Sequence, residues 1–337
     1  MRNIYDLTIK ELEDYFISIN EKKFRAVQVY EALYKRRIKS FDDMTNISKE
    51  VREKLKQDFS FYKIKMLIKQ QGKNVNKYLF ELEDGNKIES VLMFHDYGTS
   101  ICVSSQVGCN MTCAFCESGR LKKVRNLLAY EIVQQILQIE EDINKRITHV
   151  VVMGIGEPFD NYDNVLRFVK IINCGKGIDI GSRHITISTC GVIPGIKKFM
   201  NEEGQVNLAI SLHAPNDTLR SRIMPINKAY PLNELMETIK EYINKTNRRV
   251  TFEYIMLDNV NDSEENAKEL ALLLKGINCY VNLIPYNETE NIKFKRTKEW
   301  KIMKFYDILK KNKINVTIRK EFGGSVDAAC GQLRANN

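Results

Sequence analysis

No stretch of this chain is long and apolar enough to span a membrane, because its longest apolar runs are strand-sized. The opening residues, Met1-Arg-Asn-Ile-Tyr-Asp6, lack the apolar stretch of a secretory signal. There is no low-complexity linker and no internal repeat, so nothing suggests an array of small modules. A second Cys-x-x-Cys pair is also missing, which argues against the commonest four-ligand zinc site. These absences lead to the expectation of a cytoplasmic protein with no membrane partner. Its eight cysteines should then be mostly reduced, and used for metal binding, catalysis or plain burial.

At 337 residues the chain has room for one large domain and a smaller one, with enough apolar content for a sizeable core. The formal charge of +9 is unevenly spread. Residues 1–70 hold 16 Lys/Arg against 11 Asp/Glu, and residues 291–320 hold 11 against 2. Two basic blocks suit a polyanionic partner, most simply nucleic acid, although a solvated helix face would also account for the second.

The most informative stretch is Cys109-Asn-Met-Thr-Cys113-Ala-Phe-Cys116, three thiols within eight residues. Thiolates this close can converge on one inorganic core, either zinc or an iron–sulfur cluster. Three small buried hydrophobes are the bland alternative. Three ligands suit a four-iron cluster with one iron left open, and the spacing favours that reading. It resembles the signature of the radical S-adenosylmethionine (SAM) superfamily, where the open iron holds the methionine part of SAM.

The first seventy residues read as helical. Thr8-Ile-Lys-Glu11 is a capping box that opens a helix. A second helix is expected over 24–37, ending in Lys35-Arg36-Arg37 where cations suit the dipole, and a third over 48–59. Ile64, Met66 and Ile68 alternate with lysines as in a strand. Asp84-Gly85, between residues 77–83 and 87–93, signals a hairpin. From residue 99 the pattern changes. Strands are expected near 100–104, 148–154, 184–189, 206–212, 250–256, 280–285 and 314–318. Amphipathic helices lie between them, near 127–141, 162–173, 192–201, 232–244, 264–275 and 297–311. This alternation predicts an α/β fold with a mostly parallel sheet. An open partial (β/α)6 barrel fits the length best, with a doubly wound sheet as the alternative.

Parallel sheets bind ligands beyond the carboxyl ends of their strands, and the unusual residues fall there. The cysteine loop follows the first strand and Gly154-Ile-Gly156-Glu157-Pro158 the second. Ser188-Thr189 ends the third, Ser211-Leu212-His213 the fourth and Asn287 the sixth, while Gly323-Gly324 and Cys330 follow the last. The glycines would let backbone approach a ligand, though a tight turn needs them equally.

Together these stretches resemble the RlmN/Cfr family of radical SAM RNA methyltransferases, which add a methyl group to an adenine carbon. The resemblance rests on Cys102-Val-Ser-Ser-Gln-Val-Gly-Cys109, Arg125-Asn126-Leu127 with Glu131-Ile132, Gly154 to Pro158, and Asn207 to Pro215. Met224-Pro-Ile-Asn227, Val281 to Asn287 and Ala328-Ala-Cys-Gly-Gln-Leu333 complete it, so that it spans residues 89 to 333. It implies one [4Fe-4S] cluster on Cys109, Cys113 and Cys116, and SAM used twice per turnover. Gly156, Glu157, Ser188, Ser211, Leu212, His213 and Asn287 match SAM-contacting positions. Cys330 matches the methyl-carrying cysteine, Cys102 its thiol partner, and Glu89 a carboxylate assigned to proton transfer.

The resemblance also explains why so much machinery is needed. Carbons 2 and 8 of adenine lie between ring nitrogens and are poor nucleophiles, whereas a thiolate attacks the SAM methyl readily. In the family scheme the cysteine is methylated first. A deoxyadenosyl radical from a second SAM then removes hydrogen from that methyl, and the carbon radical adds to the ring. The adduct is resolved by disulfide formation between the two cysteines while a base removes the ring proton.

The implied organisation is a helical RNA-binding accessory domain over 1–60, a β-hairpin extension over 61–98 and the barrel over 99–337. The implied partners are ribosomal RNA of the large subunit, transfer RNA in some members, and a low-potential electron donor such as flavodoxin or ferredoxin. Val107, Gly156-Glu157-Pro158 and Asn161-Tyr-Asp-Asn164 resemble the carbon-2 branch, while carbon-8 enzymes confer antibiotic resistance. The chain departs from the family pattern at Cys190, at Glu117-Ser118-Gly119 and in Arg120 to Val124. Two other classes stay open on the residues alone: a radical SAM enzyme acting on a small molecule, and a zinc- or cluster-stabilised RNA-binding module. Cys174, Cys190 and Cys279 are expected to be buried small hydrophobes.

Overall fold

The computed structural model describes residues 1–202, 204–319 and 332–333. The chain begins with three helices, α1 (Ile9–Ser18), α2 (Phe24–Tyr34) and α3 (Lys49–Asp58). The capping box forms as expected. Thr8 Oγ1 accepts from the Glu11 amide at 3.3 Å, and Glu11 Oε2 accepts from the Thr8 amide at 2.9 Å. Helix α2 stops three residues earlier than its cationic end suggests. Arg37 takes a left-handed φ of 54° and its guanidinium pairs with Glu140 of the barrel, so this cation serves a tertiary contact. The helical unit closes on itself where Arg2–Asn3 pairs in parallel with Phe59–Ser60.

Three antiparallel strands follow, β1 (Lys65–Gln71), β2 (Val75–Glu81) and β3 (Lys87–His95). The turn at Asp84-Gly85 uses a positive φ of 81° at the glycine, and Asp84 Oδ1 accepts from the Asn86 amide. A register shift between Met66 and Ile68 breaks the alternation expected in β1, leaving Ile68 49% exposed.

Strand β3 pairs antiparallel with β4 (Gly98–Cys102), the first of seven parallel strands. The others are β5 (His149–Val152), β6 (Ile185–Thr189), β7 (Asn207–Ser211), β8 (Val250–Met256), β9 (Cys279–Pro285) and β10 (Val316–Ile318). Six helices make the crossovers: α4 (Ala129–Ile143), α5 (Tyr162–Asn173), α6 (Ile193–Phe199), α8 (Leu232–Thr246), α9 (Glu264–Leu273) and α10 (Glu299–Lys311). The short α7 (Asp217–Ile223) precedes α8. All ten strands lie side by side in sequence order. A doubly wound sheet needs a reversal of strand order, and here every crossover steps on by one strand in the same direction. The partial barrel is therefore the fold, with β1 to β3 extending one edge of its sheet.

One continuous apolar core joins the helical unit to the barrel. Tyr5, Phe16, Tyr30 and Tyr34 pack with Ile132, Ile136 and Phe168 of α4 and α5. Arg167 of α5 also reaches Glu11 at 2.5 Å.

Candidate active site

The carboxyl ends of the parallel strands open into one pocket. It is lined by Cys109, Cys113 and Cys116, by Gly156 and Glu157, and by Ser188, Ser211 and His213. Gly156 adopts a φ of 110°, and a Cβ there would stand 2.6 Å from the Gln106 side chain. At Gly154 a Cβ would come within 2.7 Å of the Val103 carbonyl. These glycines thus let the β5 loop close against the chain leaving β4, and Gly156 reaches the pocket as a result.

Glu157 is buried, and backbone amides hold both its oxygens. Oε1 accepts from Phe159 at 2.9 Å and Oε2 from Cys190 at 2.8 Å. Burial raises its carboxyl above the usual range despite these bonds. Cys190 is buried in an apolar cluster as expected, and it also lines the pocket beside Glu157. Its position at the end of β6 explains this, since the chain turns there into the cavity wall.

Arg220 of α7 is wholly buried, and no spacing in the sequence marks it as such. It clamps the strand ends together. Nε donates to the Leu212 carbonyl at 3.1 Å, Nη2 to Cys190 at 2.7 Å and Ser211 at 3.2 Å, and Nη1 to Asn227 Oδ1 at 2.8 Å. His213 has a left-handed φ of 59°, which turns its ring under the pocket against Phe115. Its Nδ1 accepts from the Ile255 amide at 3.0 Å, so the neutral ring carries its proton on Nε2. Burial, with Arg220 nearby, lowers His213 to about 3, and the ring is neutral at working pH.

The thiols sit in apolar surroundings. Burial pushes Cys109 up to about 12 and raises Cys113 well above its ordinary value, with the nearby Cys116 adding to both and the Arg220 charge partly offsetting the rise for Cys113. Without a positively charged partner these groups would stay protonated, which is the condition that metal ligation reverses.

A second group adjoins the pocket on the same side of the sheet. Cys102 lies opposite Val91, and Glu89 two residues further along the same face of β3. Ser104 Oγ donates to the Glu89 carbonyl at 2.6 Å, and Lys77 Nζ stands 2.8 Å from Glu89 Oε1. Cys102 packs with Val91, Ile155 and Leu333. Leu333 is three residues beyond Cys330 in the sequence, and its carbonyl accepts from Ser118 Oγ at 2.6 Å. Gln332 Nε2 reaches the Glu288 carbonyl at 3.3 Å. Ser118, one of the departures noted above, thus ties the cysteine loop to the C-terminal segment.

Comparison with known proteins agrees with this arrangement. Residues 103–271 match the Radical SAM superfamily, and residues 2–60 match the ribosomal RNA large subunit methyltransferase N-terminal domain. A Spiroplasma citri protein described as a probable dual-specificity RNA methyltransferase RlmN is 54% identical over 341 residues, covering 100% of this chain and 98% of its own. The chain belongs to the RlmN family of radical SAM RNA methyltransferases. A Streptococcus thermophilus RlmN of the same description is 55% identical, covering 99% of this chain and 88% of its own. The crystal structure of a radical SAM methyltransferase from Sphaerobacter thermophilus superposes with a TM-score of 0.94 at 41% identity, over the whole of both chains.

As an RlmN-family member the chain is a SAM-dependent RNA methyltransferase, of a superfamily that uses SAM and a [4Fe-4S] cluster. Not every expected position lines the pocket. The Leu212 side chain is fully buried, its amide donating to the Glu253 carbonyl. Asn287 lies two residues past β9, half-buried, with Nδ2 turned back to the Pro285 carbonyl at 3.5 Å. Gly323, Gly324 and Cys330 lie outside the described residues. No described helix is long and apolar enough to cross a membrane.

Proposed function

We propose that this enzyme methylates carbon 2 of an adenine in large-subunit ribosomal RNA, with transfer RNA as a further substrate, through methylated Cys330 and resolution by Cys102. The observation that carries this reading is the convergence of the three thiols with Gly156, Glu157, Ser188, Ser211 and His213 on one pocket, with Cys102 and Glu89 on the adjoining face. The dual specificity named for the Spiroplasma and Streptococcus relatives supports more than one substrate, and the match of residues 2–60 to a ribosomal RNA large subunit methyltransferase domain supports ribosomal RNA as one of them. Val107, paired with Arg125 in a short ladder, supports carbon 2 by its resemblance to that branch.

The thiols suit a cluster. They line one cavity, yet no three His, Cys, Asp or Glu side chains among the described residues close on a single-ion site. A cluster spreads its cysteines over separate irons and so accommodates wider spacing. Cys109, Cys113 and Cys116 would hold it, and when bound it supplies the electron that cleaves SAM to a deoxyadenosyl radical. The protein's own groups bind and orient. Glu157 presents a fixed carboxylate to the SAM ammonium, and neutral His213 offers an Nε2 proton. Cys102 on β4 would meet the Cys330 sulfur, and Glu89, on the same face of the neighbouring strand, would serve as the base. The helical unit and the site end of residues 291–320 grip RNA phosphates.

Anaerobic reconstitution tests the reading. Four irons and four sulfides per chain are expected, a paramagnetic resonance spectrum that changes when SAM is added, and label passing from methyl-labelled SAM to RNA. Stoichiometric zinc, or a spectrum indifferent to SAM, would overturn it.

A further inference from the structure

The floor of the pocket carries a carboxylate that none of the expected SAM contacts includes. Glu253, midway along β8, is 5% exposed and lines the cavity with Ser211 and His213. In the sheet register Ser211, Glu253, Asn282 and Thr317 stand abreast on β7, β8, β9 and β10. Residues abreast in a parallel sheet point to the same face, here the barrel interior. Thr317 Oγ1 donates to Asn282 Oδ1 at 2.8 Å, and Asn282 Nδ2 donates to Glu253 Oε1 at 3.3 Å. The row therefore fixes one carboxylate oxygen. The other, Oε2, is buried with no hydrogen-bond partner.

A buried carboxylate oxygen without a donor is costly, and native sites rarely tolerate one unless something else supplies the donor. Within the same pocket Glu157 has backbone amides on both oxygens, so the unmet acceptor belongs to Glu253. The pocket's expected ligand is a nucleoside sulfonium, whose donors are the ribose hydroxyls and the amino-acid ammonium. The thiols hang from the loop after β4, and Glu253 sits four strands further round. If the amino-acid end of SAM sits at the thiols, a nucleoside end reaching across the pocket would meet β7 and β8, where Ser211 and Glu253 line it. A carboxylate accepting from a ribose hydroxyl is a recurrent solution in nucleotide sites.

We propose that Glu253 Oε2 accepts a hydrogen bond from a ribose hydroxyl of SAM, with Asn282 and Thr317 orienting the carboxylate. This assignment rests on the SAM-binding reading of the same pocket. Glu253 is then a binding residue, and Asn282 and Thr317 are positioning residues.

Equilibrium dialysis against the anaerobically reconstituted full chain tests it, with SAM, methylthioadenosine, and 2′-deoxy and 3′-deoxy methylthioadenosine as probes. Methylthioadenosine keeps the ribose and lacks the ammonium. Glu253→Gln should weaken SAM and methylthioadenosine alike by about ten-fold or more, the loss of one charge-assisted hydrogen bond, with iron content unchanged. One deoxy probe should bind wild type and variant equally. Thr317→Val, which removes only the outermost donor, should weaken the same ligands in the same direction, and it serves if Glu253→Gln does not fold. Unchanged affinities would make Glu253 a structural residue and overturn the proposal, as would a loss for SAM without one for methylthioadenosine. A wild-type protein that binds no SAM would instead bring down the reading of the pocket itself.

Discussion

Lys77 Nζ lies 2.8 Å from Glu89 Oε1 inside the sheet, both side chains nearly closed to solvent. The two stand on neighbouring strands, on the face that also carries Cys102. Removing one member of a buried pair costs more than the intact pair contributes, because the remaining charge loses a partner it was buried with. Lys77→Met should therefore lower stability by about 3–5 kcal/mol in chemical denaturation. The double variant Lys77→Met with Glu89→Leu should recover much of that loss. Equal destabilisation by the single and double variants would contradict a coupled pair.

The two cysteines assigned to the reaction should fail in different ways. Cys330→Ala should never carry a methyl and should abolish turnover. Cys102→Ala should accept the methyl and then stall with RNA covalently attached, since no thiol is left to resolve the adduct. Denaturing gel electrophoresis with labelled RNA detects the trapped species. Normal turnover by Cys102→Ala would make this buried residue a packing element of its apolar cluster.

The basic block at 291–320 divides into two ends. Lys295 already pairs with Glu288 at 2.7 Å, and Lys301 with Asp258 at 2.9 Å. Lys293 and Lys298 are exposed ahead of α10, at the pocket end of the barrel, while Lys310 and Lys311 close that helix at the opposite end. Neutralising Lys293 and Lys298 should flatten the salt dependence of RNA binding by about 0.7 log units per lost contact on single strands. Neutralising Lys310 and Lys311 should leave the slope unchanged. Equal effects at both ends would mean that RNA does not approach from the pocket side.

Acid should weaken the folded chain through His213. The unfolded chain takes up a proton near the ordinary 6.5, and the folded chain refuses it until about 3. The contribution of a neutral buried ring is therefore complete above 6.5 and lost as pH falls from there toward 3, by up to about 1.4 kcal/mol per pH unit. Raised Glu157 and Glu253 slope the other way, because folded carboxyls that hold protons longer cost stability as pH rises past 4.5. Comparing wild type with His213→Asn, which retains an acceptor for the Ile255 amide, isolates the imidazole. The variant should lose less stability between about pH 6.5 and 5. Parallel stability curves would contradict a ring that stays neutral.

Much of this architecture was legible in the sequence because its causes are local. The Thr8 capping box, the Asp84-Gly85 turn and the alternation of strands with amphipathic helices each depend on neighbours a few residues away. The cysteine spacing is equally local. What escaped depends on distant partners. Nothing in the sequence around Arg220 and Lys77 marks them as buried; they become so only where carbonyls at the end of β7 and a carboxylate of β3 meet them. Glu253 looks like an ordinary polar position of a strand until register sets it beside Ser211 and Asn282. The pairing of Arg2–Asn3 with Phe59–Ser60 is two residues long, too short for any periodicity to reveal.

The central claim is that this chain places a methyl group on carbon 2 of an RNA adenine. The most direct measurement expresses the protein in a host that lacks its own carbon-2 enzyme, then digests ribosomal and transfer RNA to nucleosides for mass analysis. The account predicts 2-methyladenosine in large-subunit ribosomal RNA, absent from the same host carrying Cys330→Ala. Finding 8-methyladenosine without 2-methyladenosine, or neither nucleoside in either RNA, would contradict it.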